Sequence, residues 1–442
     1  MKPPRTPPAF PELMQETGFP RLMEVLKFVD ALSFNNKYLH WDKLIRYEPP
    51  AGLTHEEWWL GLRFSRTPLF KPIPLTDKQG HFFKFLVTDP IPEQLHHIDL
   101  GAGGRIGVPE PVTNPETKDQ YYMSSLIEEA ITSSQLEGAT TTREVAKEMI
   151  RAARPPRDRS ERMILNNFQT MQQIGKLKGQ SLTKQLILEL HRLVTEKTLS
   201  DATAAGRFRT EQENIVVGDE QGVIFHIPPP ANQLEDRMAA MCDFANSKTP
   251  DYFIHPALRA IMLHFWLAYD HPFVDGNGRT ARALFYWAML HYGFWLCEFI
   301  SISRILVKAP SKYGRSFLYT ETDDNDLTYF ILYQVDVIRR ALKELHDFIK
   351  AKAARVRAME QQLQGTLLFN HRQRALLSHA LRHPQFRYTF EGHRISHNVA
   401  YQTARTDLLA LQENGVLEAR KVGKTWYFTP SPMMEAKLQA MA

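Results

Sequence analysis

From residue 124 onward, apolar and polar positions alternate at three-and-four spacing, broken by short Gly- and Pro-bearing loops. The spacing predicts helices over 124–136, 142–153, 161–177, 182–197, 233–247 and 255–269, and a long charged amphipathic helix or pair of helices over 327–362. Gly138 stands as the stop of the first helix and Pro155-Pro156 as the stop of the second. Upstream, 22–32 reads as a helix, 81–87 as a strand, and Trp41, Trp58 and Trp59 imply a packed aromatic core behind a loose Pro-rich start at 1–12. The helical pattern breaks between 206 and 230. There, two β-branched runs around a Gly218–Gly222 turn predict a hairpin over 214–226, closed off by three prolines. Past 370 the chain reads as helices at 372–381, 391–398 and 400–414, then short strands at 416–419 and 425–428 around Gly423. The apolar run 283–302 is interrupted by His291, Gly293 and Glu298 and abutted by Arg282, which predicts a buried central helix and its exit, not a membrane span.

Composition changes this picture little. A chain of 442 residues can bury a large core and divide into about three domains. Its net charge of +5 permits an acidic partner without requiring one. Cys242 and Cys297 show neither CxxC spacing nor a disulfide framework, and the first residues lack the apolar stretch of a signal peptide, so a soluble, cytoplasmic protein is expected. Gly101-Ala-Gly-Gly-Arg-Ile-Gly107 fails the dinucleotide fingerprint, because Ile106 stands where the third glycine is required, and it reads as a connector. His255, His264 and His271 lie nine and seven apart, which provides no i, i+4 zinc pair, and the first two read as structural.

The chemistry concentrates in His271-Pro-Phe-Val-Asp275-Gly-Asn-Gly-Arg279-Thr-Ala-Arg282. Gly276 and Gly278 allow the backbone to turn successive N–H groups toward one anion, and the helix that follows adds its positive end. Arg279 and Arg282, three apart, share a helix face and can grip phosphate oxygens. Asp275 is the hard oxygen ligand that Mg²⁺ prefers, and His271 is a candidate base at neutral pH. Phe273 reads as a core anchor for the loop.

This stretch resembles the HxFx(D/E)GNGRxxR signature of Fic-domain proteins at every specified position. The resemblance implies transfer of AMP from ATP to a Ser, Thr or Tyr hydroxyl of a target protein. His271 would act as base and Asp275 would hold Mg²⁺, while Gly276, Asn277 and Gly278 cradle the α-phosphate and Arg279 and Arg282 take the β- and γ-phosphates. Ser133-Ser-Gln-Leu-Glu137-Gly138 resembles the (S/T)xxxE(G/N) inhibitory motif of one class of this family, with Arg282 as the partner of Glu137 by resemblance. The 214–226 hairpin corresponds to the target-docking flap, with Val216, Val217, Ile224 and Phe225 on it. Tyr313 and Phe317 loosely match a YYxxL segment near the adenine, although Gly314 departs from the second Tyr. A homodimer is the family's habit.

The expected organisation is mainly α. It comprises an N-terminal region over 1–115, a Fic core over 116–350 that includes an inhibitory helix at 121–138, a helical linker over 351–369, and a C-terminal domain over 370–432. The last resembles a winged helix, in which Gln402 and Arg405 would face base edges and Lys421 and Lys424 would face phosphates of DNA. Its other use would be protein contacts. Two rivals share the same loop: a hydrolase that removes AMP from modified protein with Glu137 orienting a water, and a nucleotide-sensing transcriptional regulator. Donors other than ATP also fit the loop.

Overall fold

Two antiparallel central helices carry the site, and their flanks explain how it is held. The computed structural model describes residues 2–29, 37–103, 115–219, 221–365 and 368–441. It is mainly helical, with three two-stranded antiparallel hairpins among the described residues. The dinucleotide-like stretch falls partly outside these residues, which take it up only to Gly103, in a single π-helical turn over Asp99–Gly103.

The first compact unit takes in residues up to 104 together with 125–342. Helix α1 (Phe10–Val25) begins inside the segment expected to be loose, because Pro11 fits the first turn of a helix, and Gly18 interrupts it with φ 70°. Helix α2 (His55–Arg66) opens on a capping box in which Thr54 and Glu57 satisfy each other's N–H groups. Trp41, Trp58 and Trp59 are buried in one core with Leu22, Val25 and Leu60, as the aromatic pattern implied. The expected strand appears as β2 (Phe82–Phe85) and pairs with β1 (Lys71–Thr76), whose alternating prolines hid it. Pro is tolerated there because β1 pairs with a strand on one side only, β2, and its prolines need no ladder partner on the other. Helix α3 (Ile91–Ile98) follows.

Helix α4 (Pro115–Leu136) is longer than expected and ends at Gly138 (φ 87°), with the Ala139 N–H bonded back to Ser134 O as in a glycine-stopped helix. Helices α5 (Arg143–Arg151), α6 (Arg159–Leu177) and α7 (Lys184–Thr195) are capped by Thr142, Asp158 and Thr183. After the hairpin β3 (Val217–Gly218) and β4 (Ile224–His226) come α8 (Leu234–Ala245), α9 (Pro256–Asp270) and α10 (Asn277–His291). Almost every residue of α9 and α10 is buried, so the apolar run beyond Arg282 is a central helix as expected. No described helix is long and apolar enough to cross a membrane. Helix α11 (Pro310–Thr322) leads into α12 (Thr328–Gly365), at whose start Arg63 pairs with Asp323 and Tyr38 donates to Asp326, fastening the N-terminal segment to this unit.

The second unit takes in 105–124 and 343–442. Within it, α13 (His371–Arg382), α14 (Phe390–His397), α15 (Tyr401–Glu413), the hairpin β5 (Leu417–Val422) and β6 (Thr425–Pro430), and α16 (Met434–Met441) enclose a core around Leu377, Leu408, Leu411 and Phe428. Asp407 ties its helices together: it accepts from Asn370, from two of the Arg372 guanidinium nitrogens and from His393 Nε2.

Candidate active site

The loop forms where α9 stops. His271 closes that helix in a left-handed conformation (φ 45°), and Gly276 opens α10 in another (φ 81°). Gly276 has a second reason to lack a side chain, since a Cβ would come within 2.6 Å of Thr195 Cγ2. Between them, Asn277 turns its side chain back on Phe273, accepting from its N–H at 2.9 Å and donating to its carbonyl at 2.8 Å. The Asn277 side chain is therefore a staple for the loop, and what it can offer a phosphate is its backbone N–H. Phe273 is fully buried and stacks on His191 at 3.7 Å, as an anchor should.

His191 was not singled out by sequence, yet it fixes the loop from α7. Its Nδ1 accepts the Gly206 N–H at 3.0 Å, so its Nε2 carries the proton and donates to Asp275 O at 3.0 Å. Arg209 grips the other side, donating to the carbonyls of His271, Pro229 and Asp270. Behind the loop Asp270 is fully buried; burial pushes its carboxyl up, against the pull of Arg237, which pairs with it at 2.6 Å. Trp266 also donates to Asp270.

His271 Nδ1 lies 3.3 Å from Ala268 O. A carbonyl only accepts, so Nδ1 carries the proton and Nε2 keeps its lone pair. Burial lowers the imidazole to about 4, leaving it neutral at pH 7. No side chain caps α10, so its first N–H groups remain for an anion. Arg279 is fully buried, spends one nitrogen on Val194 O at 2.9 Å, and has Nε and a second terminal nitrogen without hydrogen-bond partners. Buried orphan donors of this kind next to an uncapped helix start fit a phosphate. Among the described residues no cluster of three His, Cys, Asp or Glu could hold a metal. Asp275, partly exposed, fits a divalent cation only as one ligand among phosphate and water oxygens, which is the habit of Mg²⁺.

Ser133, Glu137 and Arg282 meet. The Arg282 Nε donates to Ser133 Oγ at 2.8 Å, and one terminal nitrogen donates to Ser133 O at 2.9 Å and to Glu137 Oε1 at 2.8 Å. The Glu137 carboxylate sits on the bare face of Gly278, where any Cβ would overlap Oε1. Gly138 ends the helix that delivers it. One further residue that sequence did not flag, Glu129, is buried two turns earlier on α4 and accepts from Tyr286, Ser301 and Ser303. Tyr313 lies against Arg282, and its hydroxyl is 2.8 Å from His264 Nε2, so the phenol stands behind the arginine. His264 is fully buried among aromatic rings, and His255 caps α9.

The hairpin has only two residue pairs, Val217–His226 and Gly218–Ile224. His226 anchors it, with Nε2 at 2.7 Å from Tyr269 O and Nδ1 at 2.6 Å from Glu321. Val216 and Ile224 are exposed, while Val217 and Phe225 are half-buried. In the second unit Gln402 and Arg405 on α15 and Lys421 and Lys424 on the β5–β6 hairpin are exposed.

Residues 181–289 match the Fic/DOC family. Over 117 residues the chain is 39% identical to a protein adenylyltransferase Fic of Nematostella vectensis, covering 26% of this chain and 25% of that protein. Over 165 residues it is 28% identical to a protein adenylyltransferase Fic of Aedes aegypti, covering 37% of this chain and 29% of that one. The chain thus spans about a quarter to a third of the length of these curated relatives. A Fic family protein from Desulfovibrio desulfuricans shares the fold, with a TM-score of 0.51 at 19% identity over 78% of this chain and 97% of that one. The matched residues, 181–289, include the whole 271–282 loop.

Proposed function

We propose that this chain is a protein adenylyltransferase that transfers AMP from ATP to a Ser, Thr or Tyr hydroxyl of a target protein, and that Glu137 restrains it. The observation that carries the reading is the shared use of Arg282. A guanidinium aimed at the phosphate cradle is held instead by Glu137 and Ser133.

In the step, the target hydroxyl oxygen forms a bond to the α-phosphorus as the bond to the bridging oxygen of the β-phosphate breaks. The hydroxyl proton passes to His271 Nε2, and pyrophosphate leaves. A neutral imidazole with its other nitrogen committed to Ala268 O is aligned to accept it. The negative charge of a triphosphate beside it would raise the basicity of that imidazole. The N–H groups at the start of α10 and the orphan nitrogens of Arg279 face the charge that develops on the phosphate oxygens. A divalent cation held by Asp275 would supply neutralisation of phosphate charge. Arg282, once free of Glu137, would take the γ-phosphate.

The exposed hairpin edge at Val216 and Ile224 supports docking of an extended target segment by strand addition. The helix α15 and the β5–β6 hairpin, with exposed Arg405, Lys421 and Lys424, support a winged-helix role for the second unit, to be tested by salt-dependent binding to duplex DNA.

The central test is Glu137→Gly incubated with α-labelled ATP and lysate. At least tenfold more label on protein than with wild type is expected, and equal labelling would sink the reading. Free AMP released from pre-modified target in place of label uptake would favour the hydrolase instead.

A further inference from the structure

Asp275 is already covered on both oxygens. Its Oδ1 accepts the Gly276 N–H at 2.5 Å, with Arg279 3.8 Å away, and its Oδ2 accepts from Arg159 at 2.9 Å. Arg159 sits in the first turn of α6, 116 residues earlier, and a second nitrogen of the same guanidinium donates to Thr198 O at 2.9 Å. Two hydrogen bonds to two different segments fix its head over the carboxylate, although the side chain is 58% exposed and Asp275 40%.

The surroundings push it there. Arg159 borders a cleft of about 390 Å³ lined also by Arg157, Arg162 and Lys197. The single acid in that lining, Asp158, accepts the Glu161 N–H as the helix cap. Three like charges on one side and one carboxylate on the other leave Asp275 as the anion available to Arg159.

We propose that Arg159 is a positioning residue that stands in for the divalent cation on Asp275, so that metal loading requires the Arg159–Asp275 pair to open. Two cations cannot share one carboxylate oxygen without strong mutual repulsion. The exposed pair is weak enough to yield to a cation arriving with its nucleotide, and strong enough to set a threshold for it. The site would then have two independent restraints, Glu137 on the γ-phosphate side and Arg159 on the metal side. The inference rests on the nucleotide-binding reading above.

The test is calorimetric and free of turnover. In a Glu137→Gly, His271→Ala background, binding of Mn²⁺–ATP and of metal-free ATP in EDTA is compared with and without Arg159→Gln. We expect Arg159→Gln to tighten Mn²⁺–ATP about two- to fivefold, the scale of an exposed ion pair, and to leave metal-free ATP unchanged. The gain should vanish when Asp275→Asn is added. Looser binding of Mn²⁺–ATP, equal tightening of both forms, or a gain that survives Asp275→Asn would each overturn the inference. If no variant bound nucleotide, the function reading itself would fail. The same comparison with Mn²⁺–tripolyphosphate, followed by water proton relaxation, then decides the Arg159 claim, and equal affinity with and without Arg159 would refute it.

Discussion

The 271–282 loop and the 214–226 hairpin lie in the same unit and are built on opposite principles. In the loop, polar side chains are spent on holding the backbone: Asn277 on Phe273, His191 on Asp275 O and Arg209 on three carbonyls. Phe273 is buried beneath. The hairpin has two residue pairs, an exposed apolar edge and one firm anchor at His226. On the proposed reading, such a contrast separates bond-making, which requires groups held to fractions of an ångström, from recognition, which benefits from an edge that adapts.

Removing the proposed base attacks the rigid side most directly. His271→Ala should lower transfer by roughly 10²–10⁴-fold while leaving ATP affinity within about threefold, read by labelled transfer and by calorimetry. Retained transfer would mean the loop's geometry has been assigned the wrong task.

Acid should also act on the buried side alone. Burial lowers His40, His191 and His271 to about 4 and His264 to about 3, against an ordinary value near 6.5. These pKa values are lower folded than unfolded, so the folded state binds fewer protons between the two. Their stabilisation is complete above about pH 6.5 and is lost as pH falls toward 4. Urea midpoints at pH 7, 5.5 and 4.5 should fall steadily, with a shallower slope in His264→Gln. A flat profile would contradict the burial of these rings.

Loosening the restraint without touching it is a subtler probe. Glu129→Gln keeps the shape but gives up a charge that accepts from two serines and a tyrosine. A loss of about 1–3 kcal/mol in stability is expected, with basal transfer raised by less than Glu137→Gly raises it. Unchanged transfer at reduced stability would show that α4 holds Glu137 in place without this anchor.

The smallest change belongs to the hairpin. Ile224→Asp should leave stability within about 0.5 kcal/mol and ATP binding untouched, while kcat/KM for a docked target falls about tenfold, or about 1.4 kcal/mol. A comparable fall in ATP binding would mean the two regions are not separable.

Legibility in the sequence followed the same division. The loop stood out because its residues are contiguous: a histidine, a carboxylate, glycines and arginines lie within one turn and one helix start. Glu137 could be read because its motif is local and ends at a glycine. Arg159, Glu129, His191, Arg209 and Arg237 could not, because each acts across tens of residues or more and looks, in its own helix or loop, like any polar residue. A histidine on the buried face of α7, or arginines flanking Gly206 and Phe208 where periodicity fails, were faint signals at best. The prolines of β1 hid a strand for the reason that usually excludes one.

The capture of Arg282 by Glu137 has a consequence for nucleotide choice. On the proposed reading, only a nucleotide with a γ-phosphate needs that arginine. ADP can settle on the N–H groups of α10 and Arg279 while the Glu137–Arg282 pair stays closed, whereas ATP must first open it. Its apparent affinity is therefore reduced by the fraction of molecules in which the pair is open. A restrained protein of this kind reports the ratio of ATP to ADP around it more than the amount of ATP, so its output would follow the energy state of the cell.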